Sequence, residues 1–316
     1  MKKILPWLIL ILFVALVGTA LFFIIDEFPK SISYGPEIVL PKKETVSLIL
    51  VGDIMLDRGV ELMIKSRGEE DYRFPFLKIA DYLRKADILF GNLESVISDK
   101  GIKVGSIYSF RAEPAAIEGL AFAGFDVLSL TNNHAFDYGR AALEDTCLRL
   151  KGVEIECLGL SSSVTKEIKN TKIGFLAYTN LGSPFWGIAW ADWNNLEEIK
   201  EEVKEVKEKV DILIVSLHSG TEYSSLPTQF QKEFSRMAID SGADLVIGHH
   251  PHVIQPNEKY KDGWIFYSLG NFIFDQNFSK ETMQGLLLEV IIKNKKIAEI
   301  KQKKIQINQY FQPTID

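Results

Sequence analysis

The stretch Ser47-Leu48-Ile49-Leu50-Val51-Gly52-Asp53 decides the fold, because it joins an apolar run of strand length to a turn residue and a carboxylate. The same pattern, an apolar run followed by polar residues, occurs four more times. The later runs are residues 88–90 before Gly91-Asn92-Leu93-Glu94, 127–130 before Thr131-Asn132-Asn133-His134, 212–215 before His218, and 245–247 before Gly248-His249-His250. Buried strands separated by helical stretches predict an α/β fold, in which the carboxyl ends of the strands line up at the edge where ligands bind.

All five histidines of the chain lie in the polar motifs that follow these runs. They are His134, His218, His249, His250 and His252. Histidine is a common ligand of transition metals and also serves as a general acid near neutral pH. The sequence therefore predicts a metal site at this edge of the sheet.

The segment His250-Pro251-His252 is the sharpest of these motifs. Proline restricts the backbone, and in extended geometry the two imidazoles point to the same side of the chain. This spacing suits one metal or two adjacent metals. His249 would point the opposite way, so it is the weakest ligand candidate and is expected to be a bystander.

Oxygen ligands follow the first two apolar runs. Asp53 lies behind Gly52, which allows a sharp turn, although an aspartate in this place is more often a cap or turn residue. Asn92 and Glu94 are separated by one residue, so both side chains point to the same side. They fit either a cation site or a hydrogen-bond network at the end of a strand.

Asn132, Asn133 and His134 follow the third run. An asparagine oxygen beside a metal, together with a histidine that donates a proton to a leaving group, would suit phosphoester hydrolysis by a metal-activated water. For His134 alone, a hydrogen-bonded core histidine is an equal alternative.

The composition is that of an ordinary globular protein, with 47% apolar and 25% charged residues. The net charge of -6 argues against broad electrostatic binding to nucleic acid, which needs a basic face. Of the two cysteines, Cys147 and Cys157, pairing is possible in an exported domain, but two small core residues are the favoured prediction.

Residues 4–25 carry no charge and predict a transmembrane anchor. As a helix they would span roughly 33 Å at about 1.5 Å per residue. Lys2 and Lys3 precede this stretch while Asp26 and Glu27 follow it, which predicts a single-pass cell-membrane protein with a cytoplasmic N-terminus and an extracytoplasmic C-terminal domain. A cleaved signal peptide, with small residues at 18–20, is the alternative.

A tether and one large domain follow the predicted anchor of residues 1–25. Residues 26–44 contain prolines and a glycine without a periodic pattern and indicate a linker, so residues 45–316 form the domain. Apolar spacings of three and four predict a helix over residues 194–210. Residues 286–292 and 297–307 flank a polar turn and predict a hairpin.

Taken in order, the motifs resemble those of the capsule-synthesis CapA family, the poly-gamma-glutamate synthesis proteins. The motifs are Gly52-Asp53-Ile54-Met55, Gly91-Asn92-Leu93-Glu94, Asn132-Asn133-His134, His218-Ser219-Gly220-Thr221-Glu222-Tyr223, His250-Pro251-His252 and Ser268-Leu269-Gly270-Asn271-Phe272. That family resembles the calcineurin-like metallophosphoesterases, which implies a four-layer αββα sandwich and a two-metal site at the strand ends.

The resemblance also implies a role for each residue of the site. It places Asp53 and His252 on one divalent metal, Asn133, His218 and His250 on the other, and Asn92 or Glu94 near the bridging position. It makes His134 the proton donor. Mixed oxygen and imidazole ligands suit ions of Mn, Fe or Zn.

Two departures from the phosphoesterase pattern bear on the metals. Met55 stands where a histidine ligand is usual, and Asn92 stands where a bridging aspartate is usual. Two adjacent cations repel each other, so a neutral bridge makes a two-metal site less secure unless Glu94 or Asp57 substitutes.

Arg111 and Glu222 are the predicted substrate contacts. Arg111 lies in a segment, residues 108–114, that resembles a family segment, and its planar fork suits a carboxylate or phosphate. An exposed arginine in a structural ion pair is an equal alternative. Glu222 follows His218 by four residues and could reach the same site.

The favoured function is that of a membrane-anchored, metal-dependent hydrolase or transferase. It would act in the synthesis, export or attachment of an anionic capsule polymer such as poly-gamma-glutamate, with other capsule-synthesis membrane proteins as partners. The alternatives are a non-enzymatic capsule-assembly subunit with a structural metal and a metallophosphoesterase with another surface substrate. A secreted metallopeptidase ranks last, because the chain lacks the usual helical pair of histidines separated by a glutamate.

Overall fold

The computed structural model describes residues 45–104, 107–160 and 163–316. The predicted anchor and linker, residues 1–44, lie outside the described residues. Within the described ranges, no helix is long and apolar enough to cross a membrane.

Helices and strands alternate along much of the described chain. The helices are α1 (Arg58–Arg67), α2 (Ala80–Leu83), α3 (Ile117–Ala123), α4 (Arg140–Gly152), α5 (Leu196–Lys207) and α6 (Gln229–Asp240). The strands are β1 (Thr45–Ile54), β2 (Ile88–Leu93), β3 (Val96–Ile97), β4 (Arg111–Ala112), β5 (Val127–Ser129), β6 (Glu156–Leu158), β7 (Ser163–Ile168), β8 (Thr171–Thr179), β9 (Ile212–His218), β10 (Leu245–His249), β11 (Asn257–Tyr260), β12 (Gly263–Phe266), β13 (Asn271–Ile273), β14 (Gln284–Lys293), β15 (Lys296–Ile307) and β16 (Pro313–Ile315).

The strands form two main sheets. The larger sheet has the order β16-β15-β14-β1-β2-β5-β6, with β13 also pairing with β1, and the smaller sheet has the order β11-β12-β10-β9-β8-β7. All five predicted runs are strands: β1, β2 and β5 are parallel neighbours in the larger sheet, and β9 and β10 are parallel neighbours in the smaller. The polar motifs at the carboxyl ends therefore come from two sheets.

Alternating side chains of the strands supply three hydrophobic cores. In β1, Leu48 and Leu50 enter the core between the sheets, whereas Ile49 and Val51 enter the core beneath α1 to α4. The outer face of the smaller sheet packs against α5 and α6. The protein is thus a mixed α/β sandwich with helices outside both sheets, which is the order of layers that the resemblance implies.

Two local predictions are confirmed with small shifts at their ends. The helix predicted over residues 194–210 is α5, which spans Leu196–Lys207 and buries Ile199 and Val203. The predicted hairpin is formed by β14 and β15. Its turn residues Asn294 and Lys295 adopt φ angles of 53° and 62°, which match the right-handed twist of the strands.

Gly52 permits a close backbone approach rather than the sharp turn that the sequence predicts. A Cβ atom on Gly52 would lie 1.9 Å from the carbonyl oxygen of Gly270, and a Cβ on Gly248 would lie equally close to that of Tyr267. The backbone N–H of Asp53 donates to the Gly270 carbonyl at 3.0 Å. The segment around Gly270 therefore packs directly on the ends of β1 and β10 and fixes the position of Asp53.

Cys147 and Cys157 form a disulfide bond, so the favoured prediction of two separate core residues is wrong. The cysteines are 10 residues apart in sequence, and their Cα atoms lie 5.4 Å apart because β6 returns beside α4. This proximity depends on packing, which spacing alone does not reveal. Disulfides of this kind are typical of proteins in oxidising compartments.

Removal of this disulfide should lower the free energy of unfolding by about 3 kcal/mol, because the bond restricts the unfolded chain. The double variant Cys147→Ala/Cys157→Ala and the reduced wild-type protein should show the same loss in urea denaturation. Reductant should have no effect on the double variant. An unchanged unfolding curve for the wild-type protein after reduction would contradict the bond.

Candidate metal centre

The ends of β2, β5, β9 and β10 bring imidazoles around the carboxylate of Glu94. Glu94 is completely buried, and neither of its carboxylate oxygens has a hydrogen-bond partner among the described residues. Its Oε1 atom lies 3.8 Å from His134 Nε2 and 3.7 Å from the Nε2 atoms of His218 and His252. A buried carboxylate with no donor is strongly unfavourable unless a cation compensates it. This geometry fits a metal ion.

Burial strongly shifts the pKa values of several residues of the site. Burial, reinforced by the negative charge of Asp53, holds the pKa of Glu94 well above its usual range. Burial and the neighbouring His250 hold the pKa of His218 well below its usual range, and burial and His252 lower the pKa of His250 to about 3. His218 and His250 are therefore neutral at physiological pH, and neutral imidazole is the form that ligates metals.

Two groups of donor atoms could hold metal ions. One consists of Asp53, Glu94 and His218, and the other of Glu94, His250 and His252, with the ligand atoms of each group within 4.8 Å of one another. Glu94 belongs to both groups, so it occupies the shared position. The resemblance divides the histidines differently, placing His252 with Asp53 and His250 with His218. The assignment of individual residues to each metal stays a prediction.

The predicted asparagines lie in the same network but with different roles. The Asn133 Oδ1 atom lies 2.7 Å from His218 Nε2, so these two predicted ligand atoms converge on one point. The Asn92 amide donates to Asp53 Oδ1 at 2.9 Å, and its oxygen accepts from Asn132. Because the amide nitrogen and the oxygen of Asn92 are both already hydrogen-bonded, the structure favours Glu94 over Asn92 as the bridging residue.

His134 forms a dyad with Asp137. The His134 Nδ1 atom donates to Asp137 Oδ2 at 2.7 Å, and the same oxygen accepts the backbone N–H of Phe110. The ring of Phe110 stacks on the His134 imidazole at 4.0 Å between centroids. These contacts fix the tautomer and the plane of the ring, so Nε2 faces Glu94 and is available for proton transfer.

His249 belongs to neither donor group, but its Nδ1 atom donates to Asp53 Oδ1 at 3.1 Å. Burial acts to raise the pKa of Asp53, but hydrogen bonds from His249 and His252 outweigh it and hold this pKa well below its usual range. The extended geometry predicted for the His250-Pro251-His252 segment is also wrong, since His250 and His252 have φ angles of 94° and 58°. Both rings nevertheless reach Glu94.

A cavity of about 590 Å³ opens over the His134 side of the cluster. Glu222, Asn133, His134 and His252 line it, as do Arg58, Tyr108, Phe110, Tyr223, Asp275, Gln276 and Phe278. Arg111 is not among the lining residues, and its guanidinium instead lies 4.1 Å from the ring centroid of Tyr138. Its role in substrate binding stays a prediction, as does that of Glu222. Asp57 belongs to neither donor group, since it caps α1 and accepts the Arg111 backbone N–H.

Residues 47–276 match the family described as Bacterial capsule synthesis protein PGA_cap. The chain belongs to this family. It is 30% identical over 275 residues to "Capsule biosynthesis protein CapA" of Bacillus anthracis, which covers 79% of this chain and 66% of that protein. It is also 30% identical over 282 residues to "PGA biosynthesis protein CapA" of Bacillus subtilis strain 168, covering 85% of this chain and 72% of the relative. The family predicted from the motifs is confirmed.

Two solved structures share the fold of this PGA_cap family member. A hypothetical protein from Thermus thermophilus matches with a TM-score of 0.54 and 16% identity, over 83% of this chain and 99% of that one. A novel phosphatase from Mycoplasma pneumoniae matches with a TM-score of 0.51 and 17% identity, over 84% and 95%. At these identities the likeness concerns the fold alone, and it agrees with the α/β sandwich predicted from the sequence.

Sequence reasoning missed three contacts of the site. Asp137 could have been suspected, because it follows His134 by three residues in a polar loop. Asn271 lies in a family motif, and its Oδ1 atom accepts from His252 Nδ1 at 3.0 Å, which frees Nε2 of that ring to face Glu94. No sequence pattern pointed to Arg58, because only the fold brings its side chain to the cavity.

Replacement of Glu94 by glutamine should weaken metal binding and stabilise the metal-free protein. Glutamine keeps the shape of the side chain but lacks the negative charge, so the metal bound per chain should fall when metal is limiting. In chelated protein the free energy of unfolding should rise by about 1–3 kcal/mol, because the wild type buries an unpaired carboxylate. Elemental analysis and urea denaturation measure the two effects.

The stabilisation by Glu94→Gln should grow as the pH rises from about 5 to about 8. The raised pKa of Glu94 means that the unfolded chain releases this proton at a lower pH than the folded protein does. Glu202→Gln is the matched control, because the Glu202 carboxylate accepts from the Tyr178 hydroxyl at 2.7 Å, outside the metal cluster. Unchanged metal content in Glu94→Gln would contradict the assignment.

Proposed function

We propose that this PGA_cap family member is a metal-dependent hydrolase or transferase that acts on an anionic capsule polymer such as poly-gamma-glutamate, or on its precursor. The names of the Bacillus relatives support a role in capsule synthesis. The observation that carries the enzymatic part is the buried carboxylate of Glu94, which lacks hydrogen-bond donors among the described residues and lies 3.8 Å from His134, a residue that lines an open cavity. A purely structural site would have no need of the cavity.

Divalent cations would be held by Asp53, Glu94, His218, His250 and His252, with Asn133 beside them. When bound, such cations supply a Lewis acid for the scissile group and lower the pKa of a water molecule. Phosphoester and amide bonds both suit this chemistry. The choice of substrate therefore depends on the cavity rather than on the metals.

His134 is positioned to act as the general acid. Asp137 accepts the Nδ1 proton, so a protonated His134 presents its second N–H at Nε2, toward the cavity. The hydrogen bond to Asp137 and the stacked ring of Phe110 prevent the imidazole from rotating. His134 would give this proton to the oxygen or nitrogen that leaves the substrate.

Two features support a membrane-anchored domain on the outer side of the cell membrane. Residues 4–25 carry no charge and are long enough to span a bilayer as a helix. The Cys147–Cys157 disulfide suits an oxidising compartment. We propose other capsule-synthesis membrane proteins as its partners, and nucleic acid is not expected as a partner.

The test of this function pairs metal analysis with activity assays on a phosphodiester and on gamma-linked glutamate. His134→Ala should retain the metal and lower kcat by about 100-fold or more on the true substrate. Asp137→Asn should also lower kcat with little change in KM, because the amide keeps the hydrogen bond but not the charge. Chelation should abolish turnover, and added Mn, Fe or Zn should restore it.

The same variants distinguish an enzyme from an assembly subunit. Normal capsule production by cells that carry His134→Ala would contradict the enzymatic function. If His134→Ala cells make capsule while Glu94→Gln cells do not, the metal serves a structural role. Loss of capsule in both, with the protein still present in the membrane, would support catalysis.

The proposed location predicts a defined topology. In intact protoplasts, protease added outside should digest the domain of residues 45–316, because the anchor would leave it on the outer surface. The full-length chain should sediment with membranes and resist extraction by high salt. Protection of the domain until the membrane is disrupted would contradict this orientation, and release of a shortened chain into the medium would indicate a cleaved signal peptide.

A further inference from the structure

The cavity above His134 has one arginine among its lining residues, Arg58, at the start of α1. Two hydrogen bonds join its guanidinium to Asp275: Nε donates to Oδ2 at 3.1 Å, and Nη2 donates to Oδ1. Asp275 Oδ2 also accepts the backbone N–H of Gly59 at 2.9 Å. The carboxylate thus holds one edge of the guanidinium against the end of the helix.

Arg58 is coupled to the predicted proton donor through an aromatic stack. Its guanidinium carbon lies 4.6 Å from the ring centroid of Phe110, and Phe110 in turn stacks on His134 at 4.0 Å. The backbone of Arg58 adopts a φ of 51°, an uncommon conformation for a residue other than glycine. Packing and ion pairing therefore hold the guanidinium over the cavity wall beside the reaction centre.

The opposite charge lies elsewhere in the same cavity. Glu222 is a lining residue, and its negative charge acts to raise the pKa of both Glu94 and Tyr223. The positive charge of Arg58 acts to lower the pKa of Glu94. Arg58 is therefore the lining guanidinium that can attract an anionic group, whereas Glu222 and Asp275 are lining carboxylates that repel one.

We propose that Arg58, held by Asp275, binds an anionic group of the substrate next to the bond that reacts. This inference rests on the proposed function for the identity of the anion, which would be the free carboxylate of a gamma-linked glutamyl unit. A planar guanidinium with one edge fixed by Asp275 can offer its remaining N–H groups to a carboxylate or phosphate. Arg58 thereby takes the role that the sequence suggested for Arg111.

The experiment measures equilibrium binding to the full-length, metal-loaded chain in a His134→Ala background, in which turnover should be slow. The probes are a short gamma-linked glutamate oligomer, the same oligomer with its free carboxylates methylated, and phenylphosphonate. Arg58→Ala should raise the Kd of the free oligomer by about 10- to 100-fold, because a charge-assisted hydrogen bond is lost. The methylated oligomer should bind equally to proteins with and without Arg58.

Arg236→Ala is the matched control. Arg236 makes the same kind of ion pair, with Nε and Nη2 each 3.1 Å from the carboxylate of Glu258, and its guanidinium carbon lies 5.4 Å from the Tyr260 ring centroid. It is not among the residues that line the cavity. Its removal should leave all three Kd values unchanged, which separates binding from the loss of a surface ion pair.

The outcomes separate this subsite from the proposed function. A loss confined to phenylphosphonate would support the Arg58 subsite and contradict polyglutamate as the substrate. Unchanged binding in Arg58→Ala, or an equal loss in Arg236→Ala, would overturn the proposal. A loss of binding in Arg111→Ala but not in Arg58→Ala would overturn it as well and return the role to Arg111.

Discussion

The burial of the Glu94 carboxylate is the constraint on which the site depends. The side chain is completely buried, with imidazole nitrogens close by and no hydrogen-bond donor to either oxygen among the described residues. Removal of such a charge from water costs several kcal/mol unless a counter-charge is present. The neighbouring imidazoles offer little compensation, because the pKa values of His218 and His250 are lowered by burial. A cation would make this arrangement favourable, which is why the buried carboxylate indicates a metal site.

Hydrogen bonds with neighbouring residues hold the predicted ligands and His134 in place. His249 donates to Asp53, Asn271 accepts from His252, and Asp137 accepts from His134. The backbone around Gly270 packs on Gly52 too closely for any side chain to fit between them. Such partners fix tautomers and ring orientations before a metal or a substrate arrives, which lowers the cost of binding either one. The two sheets contribute different members of the His249–Asp53 and His252–Asn271 pairs, so the crevice between their strand ends is where the site can form.

The sequence predicted those features that depend on local pattern. The apolar runs are strands because they are short, buried and bounded by polar turns, and the ligand candidates followed as the residues at their ends. Contacts between distant segments were not predictable in this way. Arg58 and Asp275 are 217 positions apart, and His249 and Asp53 are 196 apart, so only the packed sheets bring them together. The division of the strands into two sheets came from the family resemblance, and the Cys147–Cys157 pair depended on how β6 returns beside α4.

The charge of the ligand set bears on the kind of substrate. Asp53 and Glu94 are the carboxylates of the two donor groups, and the other donors are imidazoles. With Asn92 in place of a bridging aspartate, two divalent cations would carry more positive charge than these carboxylates neutralise. Such an excess of positive charge favours the binding of anions close to the cations in a buried site. Arg58 adds to it on the cavity wall, while Glu222 opposes it on another part of the lining. An anionic group in this cavity would therefore be attracted by the cations and by Arg58 and repelled by Glu222.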